Sequence, residues 1–585
     1  MSNAADLALS ALSRGDLIGA YDLTVSAIAA GDASADIRHR QVLALARMGD
    51  TGRAMERFAA YGLDRSADPH HRAIGARLLK DRALELPAGE ARRAALRAAF
   101  GAYHAIYAES GDPFPGINAA TLALLAGDED EAAALAERLL ADLAVTAGGD
   151  YYQAATRAEA LLLLGRVAEV AELLRGEAIG AATDHGARAG TARQLAMIAA
   201  HLGIADAADL LAPLTPPRVA HFCGHMFAAD PAMEAELAER IGAALDGEGI
   251  GFAYGALACG GDLLVAEAAL ARGIELNIVL PFVEEDFLAQ SVRPGGPGWE
   301  ARYRACLARA AGITIASEME FFGDPAQYGY GSRMAMGLAQ LRARHLGAEP
   351  VQVAIWDGED SNGPAGTGAD VAAWRGSGGR VIAIEPDVVD RALDRPPPRV
   401  ASDRARALAA ILFTDFAGFS TLKETALPAF WDGVMRRVAD VLDTHGAGIE
   451  CRNSWGDALY AVASSATLAA EVALELQDAL ADVDYTTLGL ATGGMRVGAH
   501  YGPAWRTSDP ITGRTTFYGT EVSKAARIEP VTPPGAVFVT EPFAAILALE
   551  AGDRFVSRYV GRIALAKNYG EFPMYRLSRR EPRGW

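Results

Sequence analysis

Three folds in series are predicted for this 585-residue chain: N-terminal all-α helical repeats, a central α/β doubly wound parallel sheet and a C-terminal α+β domain. Up to about residue 210, apolar residues recur at helical spacing among Ala, Leu, Arg and Glu, with few β-branched clusters. From Pro213 onward, strand-like runs alternate with helical ones and end in glycine, the texture of a parallel sheet. Three consecutive prolines, 396–398, sit in the charged stretch DVVDRALDRPPPRVASDR and read as a semi-rigid linker before a separate domain. The expected bounds are 1–212, 213–387, a linker at 388–404, and 405–580. A chain of this length exceeds one core, and typical domain sizes suggest about three or four.

Composition narrows the function classes. Hydrophobic residues make up 51% and charged residues 22%, so the chain is globular. A formal charge of −20 argues against a nucleic-acid partner held by phosphate contacts. Cys223, Cys259, Cys306 and Cys451 are scattered without CxxC spacing, and read as buried thiols in a reducing compartment. The N-terminal MSNAADLALSALSRGDL has no basic segment followed by a long apolar one, and no apolar stretch reaches the span of a bilayer. A soluble, cytoplasmic protein without a membrane partner is expected.

Gly-Asp pairs at 49–50, 111–112, 127–128 and 149–150 punctuate the N-terminal region into helical hairpins. PGINAATLALLAGDEDEAAALAERLL starts at Pro115, and the comparable YYQAATRAEALLLLGRVAEVAELL starts 36 residues later at Tyr151. The pattern resembles tetratricopeptide-type repeats, although the full Trp/Gly/Tyr/Pro signature is absent. Such arrays bind partners or pack on their own chain, so a protein partner is one expectation.

In the central region the strand candidates are VAHFCGH (219–225), GIGFAYG (249–255), LNIVLPF (276–282), AGITIAS (311–317), VQVAIWDG (351–358) and GRVIAIEP (379–386). Ligands of doubly wound sheets sit at the C-terminal strand ends, where helix N-termini present free amides. The candidates there are Gly224 and His225, the turn Gly260-Gly261-Asp262, and Gly366-Thr367-Gly368. His225 and Asp262 also fit a satisfied histidine and a turn-capping aspartate. About 170 residues here resemble Rossmann-like nucleotide-sensor domains related to lysine-decarboxylase-like and DNA-processing proteins, which implies a small nucleotide ligand. Pro294-Gly295-Gly296-Pro297-Gly298 is similar to the PGGxGT loop of phosphoribohydrolases. It follows FLAQSVR, not an apolar strand, and lacks the threonine, so it reads as an ordinary loop.

The C-terminal region carries the most specific residues. ILFTDFAGFS (411–420) places Asp415 at the end of a buried strand, where an ionised carboxylate is costly unless paired or bound to metal. The helix LPAFWDGVMRRVADVLDTHG follows, then IECRNSWGDALYAVASS, a hairpin with Gly456-Asp457 at its tip. Strand, helix and hairpin in this order bring Asp415 and Asp457 together. Each alone also fits a cap or turn; two converging carboxylates make a divalent-metal site, and hard oxygen donors favour Mg²⁺ or Mn²⁺. The amides of Gly418, Phe419 and Ser420, at the start of the next helix, would cradle a polyphosphate.

These strings resemble the class III adenylyl/guanylyl cyclase catalytic domain over about residues 405–580. LFTDFAGFS is similar to its FxDIxGFT segment and NSWGDALYAV to its GD hairpin, with the two aspartates 42 residues apart. FYGTEVSKAARIEP (517–530) is similar to its WGxxVNxAxR helix and GRIALAKNYGEFPMYRL (561–577) to its closing hairpin. The resemblance implies a ferredoxin-like α+β fold. It also implies attack of a nucleoside triphosphate's ribose 3′-hydroxyl on the α-phosphate, giving a 3′,5′-cyclic nucleotide and pyrophosphate. It implies two metal ions per active site on Asp415, Asp457 and the Phe416 carbonyl, with Arg527 stabilising the transferring phosphoryl. The metal carboxylates and the arginine belong to opposite halves of a dimer interface in this family, so a homodimer is expected. Ser523 stands where the family has an asparagine that orients the ribose; positions 523 and 527 are i, i+4 on one predicted helix.

Base recognition departs from the family. Adenylyl members use Lys four residues before the GD aspartate and Asp three before the WG-type glycine; guanylyl members use Glu and a smaller residue. Asn453 and Thr516 stand here, and an amide and a hydroxyl suit adenine, guanine or a pyrimidine. The family's phosphate-binding lysine of the closing turn is replaced by Tyr569 in a gapless count, with Lys567 two residues earlier. ATP is the expected substrate, on its frequency in the bacterial family alone. A UTP or CTP cyclase, a nucleotide-binding scaffold without turnover, and a hydrolase centred on the middle region are the alternatives. The N-terminal regions are expected to regulate the C-terminal one.

Overall fold

A computed structural model describes residues 4–144, 150–180, 183–228, 230–361, 363–386, 393–398, 406–490 and 493–580. They form two compact units, Met1–Pro216 with His345–Ala348, and Pro217–Arg344 with Glu349–Arg580. Of the expected linker 388–404, only 393–398 lies within the described residues, and Gly149 of the fourth Gly-Asp pair lies outside them. None of the described helices is long and apolar enough to cross a membrane.

The first unit is all helical. Its antiparallel pairs include Pro113–Ala126 with Glu129–Ala144, and Tyr151–Leu163 with Val167–Leu174, where the repeat spacing put them. The aspartates of the Gly-Asp signals are N-caps. Asp50 accepts from the Arg53 amide at 3.2 Å, Asp112 from Phe114 at 2.9 Å and Asp150 from Gln153 at 3.0 Å, each such cap contributing about 1 kcal/mol. Gly111 and Gly127 end their helices in the left-handed conformation that a side chain would resist. Ala and Leu from successive helices fill one continuous core.

The second unit holds two sheets. The first has six parallel strands: β1 (Arg218–Gly224), β2 (Ile250–Gly255), β3 (Glu275–Leu280), β4 (Gly312–Ile315), β5 (Pro350–Ile355) and β6 (Arg380–Ile384). Their order is β4-β3-β2-β1-β5-β6, a doubly wound sheet that reverses direction between β1 and β5. All six fall on the predicted runs. Pro294–Gly298 is the connection into the helix Trp299–Leu307, as an ordinary loop would be.

The second sheet comprises β7 (Arg406–Phe416), β8 (Ile449–Trp455), β9 (Ala458–Ala463), β10 (Met495–Ser508), β11 (Thr515–Tyr518), β12 (Val537–Thr540), β13 (Phe555–Ala564) and β14 (Glu571–Arg579). The order is β13-β14-β12-β10-β7-β9-β8, with β11 on β10. The neighbours β10-β7-β9-β8, with helices Arg436–His445 and Ala466–Leu480 in the two connections, make the βαββαβ ferredoxin-like arrangement. The two sheets lie in one compact unit and pack against each other. Physical reasons are visible at the join. Helix Ala326–Leu346 approaches helix Glu541–Ala551 so closely at Gly337 that no Cβ would fit against Ala545. Tyr330, fully buried, donates its hydroxyl to the Tyr501 carbonyl at 3.1 Å, and Arg344 Nη2 donates to the Ala548 carbonyl at 2.7 Å. Arg406, at the start of β7, forms a buried ion pair with Asp324 at 3.4 Å.

Candidate active site

Asp415 stands one residue before the end of β7. The β7–β9 ladder, in register from Ala410↔Ala463 to Thr414↔Leu459, carries the β8–β9 tip to the same edge. Gly456, with φ of +63°, makes that tip possible. Asp457 follows it, and its Oδ2 accepts from the Phe416 amide at 3.1 Å. Burial, and next the charge of Asp415, push the Asp457 carboxyl up to about 6. The strand–helix–hairpin reading thus brought the two aspartates to one place.

Two residues at this edge were not foreseen. Arg496 on β10 lies opposite Asp415 in the antiparallel ladder, and its Nη1 is 3.8 Å from Asp415 Oδ2 and 3.6 Å from Glu529 Oε1. Burial, then Asp415, push Glu529 up to about 7 against the pull of Arg496. Only the pairing of ILFTDF with MRVGAHYG reveals Arg496, and register is not written in either string alone. Glu529 Oε1, Arg496 Nε and Thr414 Oγ1 are buried without a hydrogen-bond partner. Asp415 and Glu529 share the Arg496 guanidinium, and Asp457 feels the charge of Asp415 beside them, so the edge keeps an excess of negative charge and unspent oxygen lone pairs. That donor set suits a hard divalent cation.

Beyond Phe416 the chain differs from expectation. Gly418 (φ +90°) leads into a 3-10 turn, Phe419–Thr421, and the α-helix begins only at Leu427, with Pro428 in its first turn. Leu422 is extended, which interrupts any continuous helix between. Phe416 and Phe419 each pack a ring on Phe430 at 5.0 Å, so the turn is anchored by its aromatic residues and Ser420 lies at its surface.

Ser523 lies on the helix Thr520–Ala525, and Arg527 lies beyond its end. The shared i, i+4 face is therefore corrected: the Arg527 amide bonds the Lys524 carbonyl and Ile528 the Ala525 carbonyl, three residues back each time. A second tight turn, the 3-10 helix Glu529–Val531 with Pro530 in its first turn, follows directly. Arg527 Nε is buried without a hydrogen-bond partner, so its guanidinium has an unmet need for an acceptor. Under this helix runs a buried network. His500 Nε2 and Glu521 Oε2 are 2.7 Å apart, Lys524 Nζ is 3.0 Å from the same oxygen, and His500 Nδ1 is 2.7 Å from Thr540 Oγ1. Burial opposes ionisation of Glu521, yet the His500 hydrogen bond and the Lys524 ammonium hold its carboxyl below the usual range.

The closing hairpin meets this helix. Tyr569 donates to the Thr520 carbonyl at 3.3 Å, and the Ala566 amide to the Arg527 carbonyl at 3.4 Å. Lys567 and Asn568 are both left-handed (φ +62° and +56°), a tight turn that keeps Lys567 beside the arginine segment. Asn453 is exposed on β8 and accepts from the Ser454 amide at 2.9 Å. Thr516 is on β11, next to the Cys451 thiol of β8. Met319, Arg406, Pro503, Trp505, Gly519, Thr520 and Glu521 enclose a cavity of about 60 Å³ next to the Ser523 helix.

In the parallel sheet, His225 Nε2 is 2.9 Å from Asp357 Oδ1, across the β1/β5 reversal. Asp262 is buried and accepts from the Ala258 amide at 3.2 Å; burial pushes its carboxyl up to about 7. Gly261 lies against the backbone of Gly224, and Gly366 precedes the helix Thr367–Gly376. Both residues thus have internal partners, as the turn-cap and satisfied-histidine readings required. The four cysteines are free and buried.

Residues 16–123 match the family described as Tetratricopeptide Repeats-Sensor, and residues 403–578 match the Adenylate and Guanylate cyclase catalytic domain. Among solved structures, the adenylyl cyclase CyaB from P. aeruginosa is 16% identical, with a TM-score of 0.27 over 31% of this chain and 98% of that one. The guanylate cyclase domain of RhGC from Catenaria anguillulae, in complex with GTP, is 17% identical, with a TM-score of 0.26 over 30% and 97%. A dimeric guanylyl cyclase domain of the RhoGC fusion protein from Blastocladiella emersonii is 16% identical, with a TM-score of 0.25 over 30% and 97%. A search of curated proteins finds no match.

Proposed function

We propose that the C-terminal domain, which matches the adenylate and guanylate cyclase catalytic family, converts a nucleoside triphosphate to its 3′,5′-cyclic nucleotide and pyrophosphate. The carrying observation is the convergence of Asp415 and Asp457 at one strand edge beside Arg496 and Glu529. Asp415, Asp457 and the Phe416 carbonyl would hold Mg²⁺ or Mn²⁺, which when bound lowers the charge barrier to attack at phosphorus. The Phe416 amide fixes one Asp457 oxygen and leaves the other for the ion. Arg496, paired with Asp415 and Glu529, stands ready to take a phosphate oxygen once cations neutralise them.

In the reaction the 3′-hydroxyl releases its proton to solvent, its oxygen bonds the α-phosphorus, and the bond from that phosphorus to the bridging oxygen breaks as pyrophosphate leaves. Arg527, with an unmet donor, is suited to the charge that builds on the transferring phosphoryl. Ser523 would orient the ribose by a hydroxyl hydrogen bond, and Lys567 would meet the outer phosphates. The turn at Gly418, Phe419 and Ser420 would lie along the triphosphate. Asn453 and Thr516 would face the base, and ATP is the proposed substrate.

A head-to-tail homodimer would join the carboxylates of one protomer to the arginine of its partner. The exposed Trp455, Ile511 and Tyr518, on β8, the β10–β11 turn and β11, support an apolar interface on that side. The parallel-sheet region would regulate turnover through its contacts on β10 and the cavity beside the Ser523 helix.

Incubating the protein with each of the four ribonucleoside triphosphates and Mg²⁺ or Mn²⁺, with products read by mass, tests the reading. Cyclic AMP is expected from ATP. A dominant cyclic UMP or CMP would change only the substrate. No product from any triphosphate, with Asp457→Ala indistinguishable from wild type, would sink the enzyme reading.

A further inference from the structure

The arginine end of the candidate site does not rest on its own sheet alone. Residues 316–325, between β4 and the helix Ala326–Leu346, form a loop at the C-terminal edge of the parallel sheet. One side of this loop is bound to that sheet. The Phe321 amide donates to Asp286 Oδ2 at 2.8 Å, and the Phe321 ring stacks at 4.9 Å on Phe282, just beyond β3. The Val283 amide donates to the Met319 carbonyl at 3.3 Å. Gln327 clamps the loop from the following helix, accepting from the Phe322 amide at 3.0 Å and donating to the Glu320 carbonyl at 2.9 Å. The loop is thereby fixed to the strand ends where a doubly wound sheet takes its ligands.

Its other side meets the first residue of β7. Asp324 Oδ2 accepts from the Arg406 amide at 3.2 Å and from Arg406 Nε at 3.4 Å, while Asp324 Oδ1 accepts from the Ala326 amide at 3.0 Å. Both side chains are buried. The Arg406 guanidinium lies 4.9 Å from the ring centre of Phe322, on the loop, and 5.4 Å from that of Trp505, on β10. Trp505 stands opposite Arg406 in the β7–β10 ladder and opposite Tyr518 in the β10–β11 ladder. One residue past Tyr518, at Gly519, the chain turns into the helix Thr520–Ala525. Met319 of the loop, Arg406, Trp505, and Thr520 and Glu521 of the helix all line the cavity of about 60 Å³. The loop, the start of β7 and the start of the helix therefore meet at one place.

A buried ion pair is a poor device for stability, because the cost of desolvating both charges offsets their attraction. It is a good device for fixing a position, since displacing either partner strands a charge. Arg406 Nη2 is already buried without a hydrogen-bond partner, so losing Asp324 would strand a guanidinium that is under-satisfied to begin with. The helix Thr520–Ala525 is too short to hold its own place, and its placement follows whatever it rests on. The His500–Glu521–Lys524 network supports it from below, and the cavity wall formed by the loop and Arg406 supports its first turn. Arg527 lies just past the end of that helix and inherits its placement.

We propose that Asp324 is a positioning residue: paired with Arg406, it seats the helix Thr520–Ala525 and, through it, the Arg527 guanidinium. Its effect on turnover rests on the cyclase reading; its seating of the helix does not. Hydrogen exchange of the full chain, read by peptide mass, tests the seating. In Asp324→Asn the amides of 520–528 are expected to exchange about tenfold faster or more, while those of β7 and β9 keep wild-type rates. Phe322→Leu removes a ring beside Arg406 without stranding a charge. It should give a smaller rise in the same segment, and it decides the question should Asp324→Asn fail to fold. Unchanged exchange of 520–528 would overturn the proposal, and so would acceleration spread evenly over both sheets, the mark of a merely structural join. Steady-state kinetics tests the effect on turnover. Asp324→Asn should lower kcat about tenfold with KM within about twofold, and should lower it no further in an Arg527→Ala background. The same fold-loss in both backgrounds would overturn the route through Arg527. No cyclic product from the wild type would sink the cyclase reading alone, and exchange would then decide the seating.

Discussion

The two ends of the candidate active site are built differently. The carboxylate end rests on a strand ladder: β7, β9 and β10 in continuous register bring Asp415, Asp457 and Arg496 to one edge. The arginine end rests on a six-residue helix, Thr520–Ala525, seated on the buried His500–Glu521–Lys524 network and met by the 565–570 turn. A ladder transmits position through many backbone bonds, so a side-chain change there alters chemistry and leaves geometry intact. A short helix has few internal bonds, and its placement depends on particular buried polar groups.

This difference is open to direct attack. The largest effects belong to the carboxylates. Asp415→Ala and Asp457→Ala are each expected to lose at least about 3 kcal/mol of transition-state stabilisation in kcat/KM, with melting temperatures near wild type. Retained turnover in either variant would remove the metal assignment. Glu521→Ala should do the reverse. It strips the partner from a fully buried His500 and from Lys524, and is expected to cost about 2–4 kcal/mol of stability by denaturant unfolding. Where the variant stays folded, activity should fall through misplacement of Arg527. Full stability would show that the network does not seat the helix.

Much of the carboxylate end was legible in the sequence because its signals are local. A buried strand ending in Asp415 and a Gly-Asp hairpin tip are each visible in a few residues, and strand–helix–hairpin order joins them. Arg496 and Glu529 escaped, because their place depends on antiparallel register and on a turn that no string encodes. At the arginine end, 517–530 read as one helix, whereas the α-helix stops at Ala525 and three-residue turns carry the chain on to Val531. The repeat region showed its hairpins through Gly-Asp caps. The hydrogen bonds of Lys80 to Asn118 and Gln194, the latter 114 positions away, were invisible for the same reason as Arg496.

A smaller effect separates the ends by pH. Without metal, Asp457 is pushed up to about 6 and Glu529 to about 7, both above ordinary carboxylates near 4. A raised carboxyl is held protonated longer in the folded protein. The contribution to metal-free stability is therefore present below about pH 4 and lost as pH rises through 6 to 7. Melting in chelator should show this decline relative to Asp457→Asn, and Mg²⁺ or Mn²⁺ should abolish it. Metal affinity should rise over the same window, about tenfold per unit while one proton is displaced. A flat difference between wild type and Asp457→Asn would mean that neither burial nor Asp415 raises the Asp457 carboxyl.

The smallest effect concerns the base. Thr516 lies against the Cys451 thiol, and Asn453 holds the Ser454 amide, so each has polar surroundings inside the protein. A side chain so engaged discriminates weakly, because rejecting the wrong base requires a polar group left unpaired by it. Thr516→Val keeps the shape and removes the hydroxyl. The ratio of kcat/KM values among the four triphosphates is expected to move by less than about threefold, under 1 kcal/mol. A tenfold swing toward one base would show that Thr516 turns from Cys451 to the nucleotide when substrate binds. The arginine end would then owe its selectivity to a rearrangement that the ladder at the carboxylate end does not permit.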